Sequence, residues 1–231
     1  MTGVQPESVG GLRILTVCTM NICRSPAMEE LFRQGLAQVS DVSVSSAGTH
    51  AVAGAASCDL SMAMIGHGNH THSATPITEQ IIRTNDLIVT AATDHVAEIV
   101  RMTTSARSYT FTLRQAARYA TWIVQGGSLE VATRKAAGEQ IEVDLAQPMT
   151  MTEPLPDNPT HRLPWLVNEM HAARGLAPMT DRHSLPPALA VSPDDIPDPH
   201  VMGFDVHPIS SQLIVACTDD FLTAVSQILT V

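Results

Sequence analysis

Short β-rich apolar runs alternate with helix-period stripes over the first half of the chain, and this alternation most narrows the folds open to it. Leu12–Val17 (LRILTV) follows a Gly-Gly break. Met28, Leu31, Phe32, Leu36 and Val39 then mark one face of a helix. Val42–Ser46 reads as a second strand, Asp86–Thr90 as a third and Ser108–Phe111 as a weaker fourth. Helical patterns cover Asp94–Val100 and Leu113–Val124. Ile209, Leu213, Cys217, Phe221, Val225 and Ile228 form a further long amphipathic stripe. Strands separated by helices pair in parallel, with crossover helices covering the sheet. The expected fold is α/β: a doubly wound four-stranded parallel sheet with helices on both faces.

Proline interrupts this rhythm. Eleven of the 15 prolines fall between Pro148 and Pro199. The chain therefore reads as a single domain over 1–231, with a core at about 12–124 and 194–231. A Pro-rich, partly helical insertion occupies about 125–193. Its clearest helix is Pro164–Arg174, and it has too few bulky apolar residues to close a core alone.

Charge excludes some partners. With 13 Lys+Arg against 23 Asp+Glu, the net charge is −10, and the basic clusters that nucleic acid or acidic lipid require are missing. No nucleic acid or membrane partner is expected. No apolar run approaches the length of a membrane span, and residues 1–11 lack a signal-peptide core. Four cysteines without a CxxC pair fit a cytoplasmic chain with reduced thiols. Aromatics make up only 3% of the chain, so the core must rest on aliphatic side chains and methionine.

The most informative stretch joins the first strand to the first helix. Seven residues run from Cys18 to Arg24, followed by Ser25 at an expected N-cap and Pro26 at the first helical position. A loop of this size can curl into a ring whose backbone N–H groups turn inward at the positive end of a helix, and such a ring binds a tetrahedral dianion. There a cysteine can act as a thiolate nucleophile, and Arg24 can clamp two phosphoryl oxygens into the transition state. Ser25 can donate to the sulfur. The nucleotide P-loop pattern GxxxxGK[ST] does not occur.

The run VCxxNICRSPxxE, from Val17 to Glu29, resembles the active-site loop of the low-molecular-weight protein tyrosine phosphatases and their arsenate-reductase relatives. The likeness continues at Ser45-Ser46-Ala47-Gly48-Thr49, His72-Ser73-Ala74, Asp86–Thr90 and Phe111-Thr112-Leu113-Arg114. It resumes at Asp195-Ile196-Pro197-Asp198-Pro199, which is similar to the family's Asp-Pro acid loop. It covers roughly Leu12–Tyr119 and Asp194–Val231. Long relatives in high-GC bacteria carry extra sequence where this chain has its insertion, and the arginine-over-lysine bias fits a bacterial source.

The resemblance implies a hydrolase that needs no cofactor, acting on phosphotyrosine in a protein substrate, with a tyrosine kinase as a further partner. Cys18 would attack phosphorus to form a cysteinyl-phosphate. Arg24 and the loop Thr19, Met20, Asn21, Ile22, Cys23 and Ser25 would hold the oxygens. Asp198 would protonate the leaving group, with Asp194 and Asp195 as alternatives. Asn21, Ser46 and His72 would support the loop, and Asn21 tolerates the left-handed backbone of a tight ring. Cys23 could shield Cys18 through a reversible disulfide.

Two positions depart from the family. Met20 replaces a glycine, and His200 replaces the aromatic that lines the substrate cleft. Tyr109 and Tyr119 are the only tyrosines, so the tandem phosphorylatable pair of some relatives is absent. Arsenate reduction is the alternative chemistry, but Cys58 and Cys217 do not form the close downstream pair its disulfide relay uses. A non-catalytic phosphate-recognition module is the other alternative. His67, His70 and His72 with Cys58 match no standard ligand spacing, so no metal is expected.

Overall fold

A computed structural model describes residues 11–67, 71–127, 138–140, 153–179, 183–189 and 192–230. His70 lies outside the described residues. The strands are β1 (Leu12–Cys18), β2 (Val42–Gly48), β3 (Leu87–Thr90) and β4 (Thr110–Thr112), all parallel, in the order β2-β1-β3-β4. The helices are α1 (Arg24–Gly35), α2 (Asp59–Met64), α3 (Glu79–Arg83), α4 (Thr93–Met102), α5 (Leu113–Val124), α6 (Arg162–Ala172), α7 (Pro199–Met202) and α8 (His207–Thr230). The doubly wound parallel architecture expected from the alternation is what forms. Strand β2 runs two residues further than its apolar pattern suggested, because it pairs with β1 in register through Cys18 and Gly48.

The pleat divides the interior into two cores. Leu12 and Ile14 of β1 and Leu87 and Val89 of β3 face one side, with α1, α5, α6 and α8. Leu15 and Val17 of β1 and Ile88 of β3 face the other, with Ile82 of α3 and Ile99 of α4. Near-continuous burial of β1 and β3 is what a parallel sheet covered on both faces demands.

Helix α8 buries the expected stripe, including Leu213, Cys217, Phe221, Val225 and Ile228. It packs on α1 and α5, with the Phe32 and Phe221 ring centroids 5.4 Å apart. By length and composition alone Phe204–Thr230 could cross a membrane, although the sequence pattern suggested no run of that length. Its small and polar residues dilute the apolar signal that burial makes plain.

The described part of the insertion joins the larger core. Leu163, Trp165, Leu166, Val167 and Met170 of α6 are all buried there. Helix α6 starts at Arg162, two residues earlier than its apolar pattern suggested. The Arg162 side chain is itself buried, donating to the carbonyls of Ile228 (3.1 Å) at the end of α8 and Pro156 (2.9 Å). Arg174 donates to the Thr110 carbonyl (2.6 Å) on edge strand β4, and its guanidinium lies 4.2 Å from the Phe111 ring centroid. That contact covers backbone that an edge strand would otherwise expose.

These contacts make α6 part of the stabilising core. Leu166, 1% exposed, should cost about 2–5 kcal/mol when replaced by alanine. Urea unfolding of Leu166→Ala checks this, and a loss under about 1 kcal/mol would show that α6 only decorates the surface.

Candidate active site

The site begins where β1 ends. In the order β2-β1-β3-β4, the connections from β1 and β3 leave on opposite sides, so a crevice opens beyond their carboxyl ends. Cys18 closes β1, and α1 begins at Arg24. The structure corrects the expected helix start. The N-cap is Cys23, without a side-chain cap, and Ser25 and Pro26 lie inside the first turn. Ser25 is withdrawn from capping because its hydroxyl bonds elsewhere.

Loop carbonyls are held from outside. The Cys18 oxygen accepts from Thr49 N (3.0 Å), the Thr19 oxygen from His50 N (2.8 Å) and the Ile22 oxygen from Cys58 N (2.5 Å). His72 Nε2 donates to the Asn21 oxygen (2.6 Å). In a trans peptide the N–H points opposite to the C=O. The N–H groups of Thr19, Met20, Ile22 and Cys23 therefore point away from these partners, towards the inside of the loop.

A buried side-chain network fixes the ring. Thr75 N donates to Asn21 Oδ1 (2.8 Å), which leaves Asn21 Nδ2 to donate to Ser25 Oγ (2.9 Å) and Ser46 Oγ (2.8 Å). Ser46 donates onward to Glu29 Oε2 (2.5 Å). Because Ser25 Oγ accepts from Asn21, its own hydrogen is available to Cys18 Sγ, 3.0 Å away. Asn21 adopts φ 55°, the left-handed turn expected of it. Met20 is not among the positive-φ residues. A side chain is accommodated there without left-handed strain, and it projects outward, 37% exposed. Beneath the ring, a Cβ on Gly48 would lie 2.6 Å from the Thr19 oxygen and 2.8 Å from Asn21 N.

Arg24 is 4% exposed. It donates to the Ile196 carbonyl (3.1 Å) and to Thr19 Oγ1 (3.3 Å), and it forms an ion pair with the Asp198 carboxylate. The three nearby aspartates have separate partners. Asp194 pairs with Arg118 (2.6 Å) of α5, and Asp195 accepts from Thr93 N (2.8 Å) at the start of α4. Only Asp198 reaches Arg24, and it also accepts from His200 N (3.0 Å). Ile196 N donates to the Ala91 carbonyl (2.8 Å), anchoring this loop beyond β3.

Arg24 and Asp198 line a cleft of about 450 Å³ together with Thr19, His95, Val201 and Met202. Leu189, from the insertion, also lines it. Cys18 is 2% exposed and is not among the lining residues. The expected cleft residue His200 is not among them either. Its ring stands 5.1 Å from that of His207, outside the cleft. Burial pushes the Cys23 thiol up to about 12, and its sulfur lies 2.7 Å from Ser61 Oγ.

Sequence reasoning missed His95, whose only signal was its place in the first turn of α4. Its Nε2 lies 3.0 Å from Thr19 Oγ1. Burial, and then the Arg24 charge, push the imidazole down to about 4. Unfolded, the ring would take up a proton near pH 6.5. The stability His95 contributes is therefore complete above about pH 6.5 and is lost as pH falls towards 4, by at most ~3 kcal/mol. Urea unfolding across that window should show a shallower pH slope for His95→Gln. Equal slopes would contradict this assignment.

Residues 13–125 match the family described as low molecular weight phosphotyrosine protein phosphatase. The Escherichia coli (strain K12) low molecular weight protein-tyrosine-phosphatase Etp is 35% identical over 106 residues, which span 44% of this chain and 69% of Etp. Among solved structures, the tyrosine phosphatase AmsI of Erwinia amylovora aligns over 94% of this chain and 95% of its own, at 16% identity and a TM-score of 0.54. The YwlE arginine phosphatase of Geobacillus stearothermophilus aligns over 94% of each chain, at 17% identity and the same TM-score of 0.54. These structural likenesses establish a shared fold, and the identity to Etp over more than two thirds of that protein goes further: this chain belongs to the low molecular weight phosphotyrosine protein phosphatase family.

Proposed function

We propose that the chain hydrolyses phosphotyrosine in protein through a cysteinyl-phosphate intermediate. The observation that carries this reading is the set of loop carbonyls drawn outward around Cys18, with the Ser25 hydroxyl beside its sulfur. Inward amides create an anion cradle, and a sulfur at its base is placed to attack phosphorus. The 450 Å³ cleft carries Pro197, Val201 and Met202 beside Arg24, which suits a flat apolar group bearing a phosphate.

Substrate entry exchanges anions at Arg24. The arriving dianion takes over the guanidinium and frees the Asp198 carboxylate from its ion pair. Opening that pair also clears the way to the buried sulfur. Asp198 takes a proton from solvent and passes it to the leaving phenolic oxygen as the sulfur–phosphorus bond forms and the phosphorus–oxygen bond breaks. In the second step Asp198 takes a proton from water, which attacks phosphorus and releases phosphate. The Ser25 hydroxyl stabilises the departing sulfur. Thr19, Asn21, Ser46 and His72 hold the ring in shape.

The expected setting is the cytoplasm, with phosphorylated proteins and a tyrosine kinase as partners. Arsenate reduction through a cysteine relay is disfavoured because Cys58 and Cys217 do not form the close downstream pair that relay uses.

Cys18→Ser should abolish p-nitrophenyl phosphate hydrolysis and keep phosphate binding. Asp198→Ala should slow turnover roughly 10²–10⁴-fold, most with poor leaving groups. Wild-type protein that binds phosphate without ever releasing phenol would favour a recognition module. Arsenate reduction assayed in parallel should show none.

Gly48→Ala tests the cradle from below. Its methyl would press on the Thr19–Asn21 backbone, which would have to shift. Expected are a fall in kcat/KM of at least ~10-fold and weaker phosphate binding, read by steady-state kinetics and phosphate titration. Unchanged kinetics would count against the cradle.

A further inference from the structure

Four side chains with no shared part in the proposed chemistry converge beside the site: Cys23, Cys58, His200 and His207. One ligand atom from each lies within 4.8 Å of every other. They arrive from four places. Cys23 precedes α1, Cys58 precedes α2, His200 sits in α7 and His207 opens α8.

The geometry prepares His207 as a ligand. Its Nδ1 lies 2.9 Å from the Phe204 carbonyl, which can only accept, so Nδ1 carries the hydrogen. The Nε2 lone pair then points out, 3.6 Å from Cys58 Sγ. A carbonyl holding the far N–H is the arrangement that orients metal-bound imidazoles. The ring is fully buried and stacks on Phe204 at 5.2 Å. Exposed His200 and half-buried Cys58 leave a path from solvent.

We propose that Cys23, Cys58, His200 and His207 form a tetrahedral site for a divalent zinc-like cation. Two thiolates with two imidazoles select zinc over magnesium or calcium, which prefer oxygen. Bonds of about 2.0–2.3 Å put tetrahedral ligand atoms roughly 3.3–3.8 Å apart, a spacing that small side-chain rotations reach from the observed one. Each thiol releases its proton as it ligates. Four protein ligands leave no open position for water, so the ion's role is structural. It joins the end of the phosphate loop to the helix that follows Asp198, and so fixes the separation of nucleophile and acid. The expectation of no metal rested on the local His67–His72 run and could not register ligands this far apart in sequence. The site stands independently of the phosphatase reading.

The test uses the full chain, reduced, metal-free and without oxygen. Zn²⁺ is titrated against a chromophoric chelator, and Co²⁺ is followed by absorbance. Expected are one equivalent bound with sub-micromolar Kd, strong tetrahedral Co²⁺ bands and a thiolate-to-cobalt charge-transfer band. Cys58→Ser and His207→Gln should each weaken binding at least ~10-fold. His200→Gln, at an exposed position that leaves folding intact, should do the same. Cys18→Ser should bind normally. The proposal is overturned by micromolar or weaker binding, by a pale octahedral cobalt spectrum, or by binding that survives Cys58→Ser and His200→Gln but not Cys18→Ser. The last result would put the ion on the nucleophile.

Discussion

Everything at the site depends on the planarity of the peptide bond. Four carbonyls of the loop after β1 are each fixed by a donor outside it, three of them backbone N–H groups and the fourth His72. Because the peptide unit is rigid, each fixed oxygen aims an N–H the other way. The loop is thus shaped by its surroundings, and the surroundings are the end of β2, the start of α2 and the segment before α3. Parallel pairing of β1 with β2 brings Gly48 under the loop, which is why a residue without a side chain belongs there.

The segment from Asp194 to Asp198 is held with comparable redundancy. Asp194 and Asp195 spend their charges on α5 and the start of α4, and the Ile196 backbone ties to the end of β3. Asp198 is left as the carboxylate that meets Arg24. Adjacent residues of one chemical type thus acquire different roles from the partners their positions reach. Arg24 connects both halves of the site, since it donates to the Ile196 carbonyl and to Thr19 Oγ1 at once.

Local chemistry was legible in the residues themselves, whereas the meeting of Asp198, Ser46 and His72 with the loop was legible only through the family resemblance, and the convergence of Cys23, Cys58, His200 and His207 not at all. The four strands follow from short apolar runs, and the left-handed Asn21 follows from its side chain's tolerance of that backbone. Ser25 was misplaced at the helix cap because capping preference is local, whereas its real partners, Cys18 and Asn21, are fixed by the loop's curl. His200 was assigned to the cleft on its position alone, and packing against Phe204 and His207 turns it elsewhere. Helix α6 reads as an appendage because its few apolar residues cannot form a core alone. Buried against α5 and α8, they complete one that already exists. His95 carried no distinctive signal, because one buried histidine in a helix has none.

The packing of α8 also has a temporal side. Its partners α1 and α5 are complete once residue 124 has been made, yet α8 begins only at residue 207. At about 5–20 residues per second, the ribosome needs on the order of ten seconds to supply it. Until then the parts of α1 and α5 that α8 buries lack that cover, and the nascent chain presents apolar surface open to aggregation and to capture by chaperones.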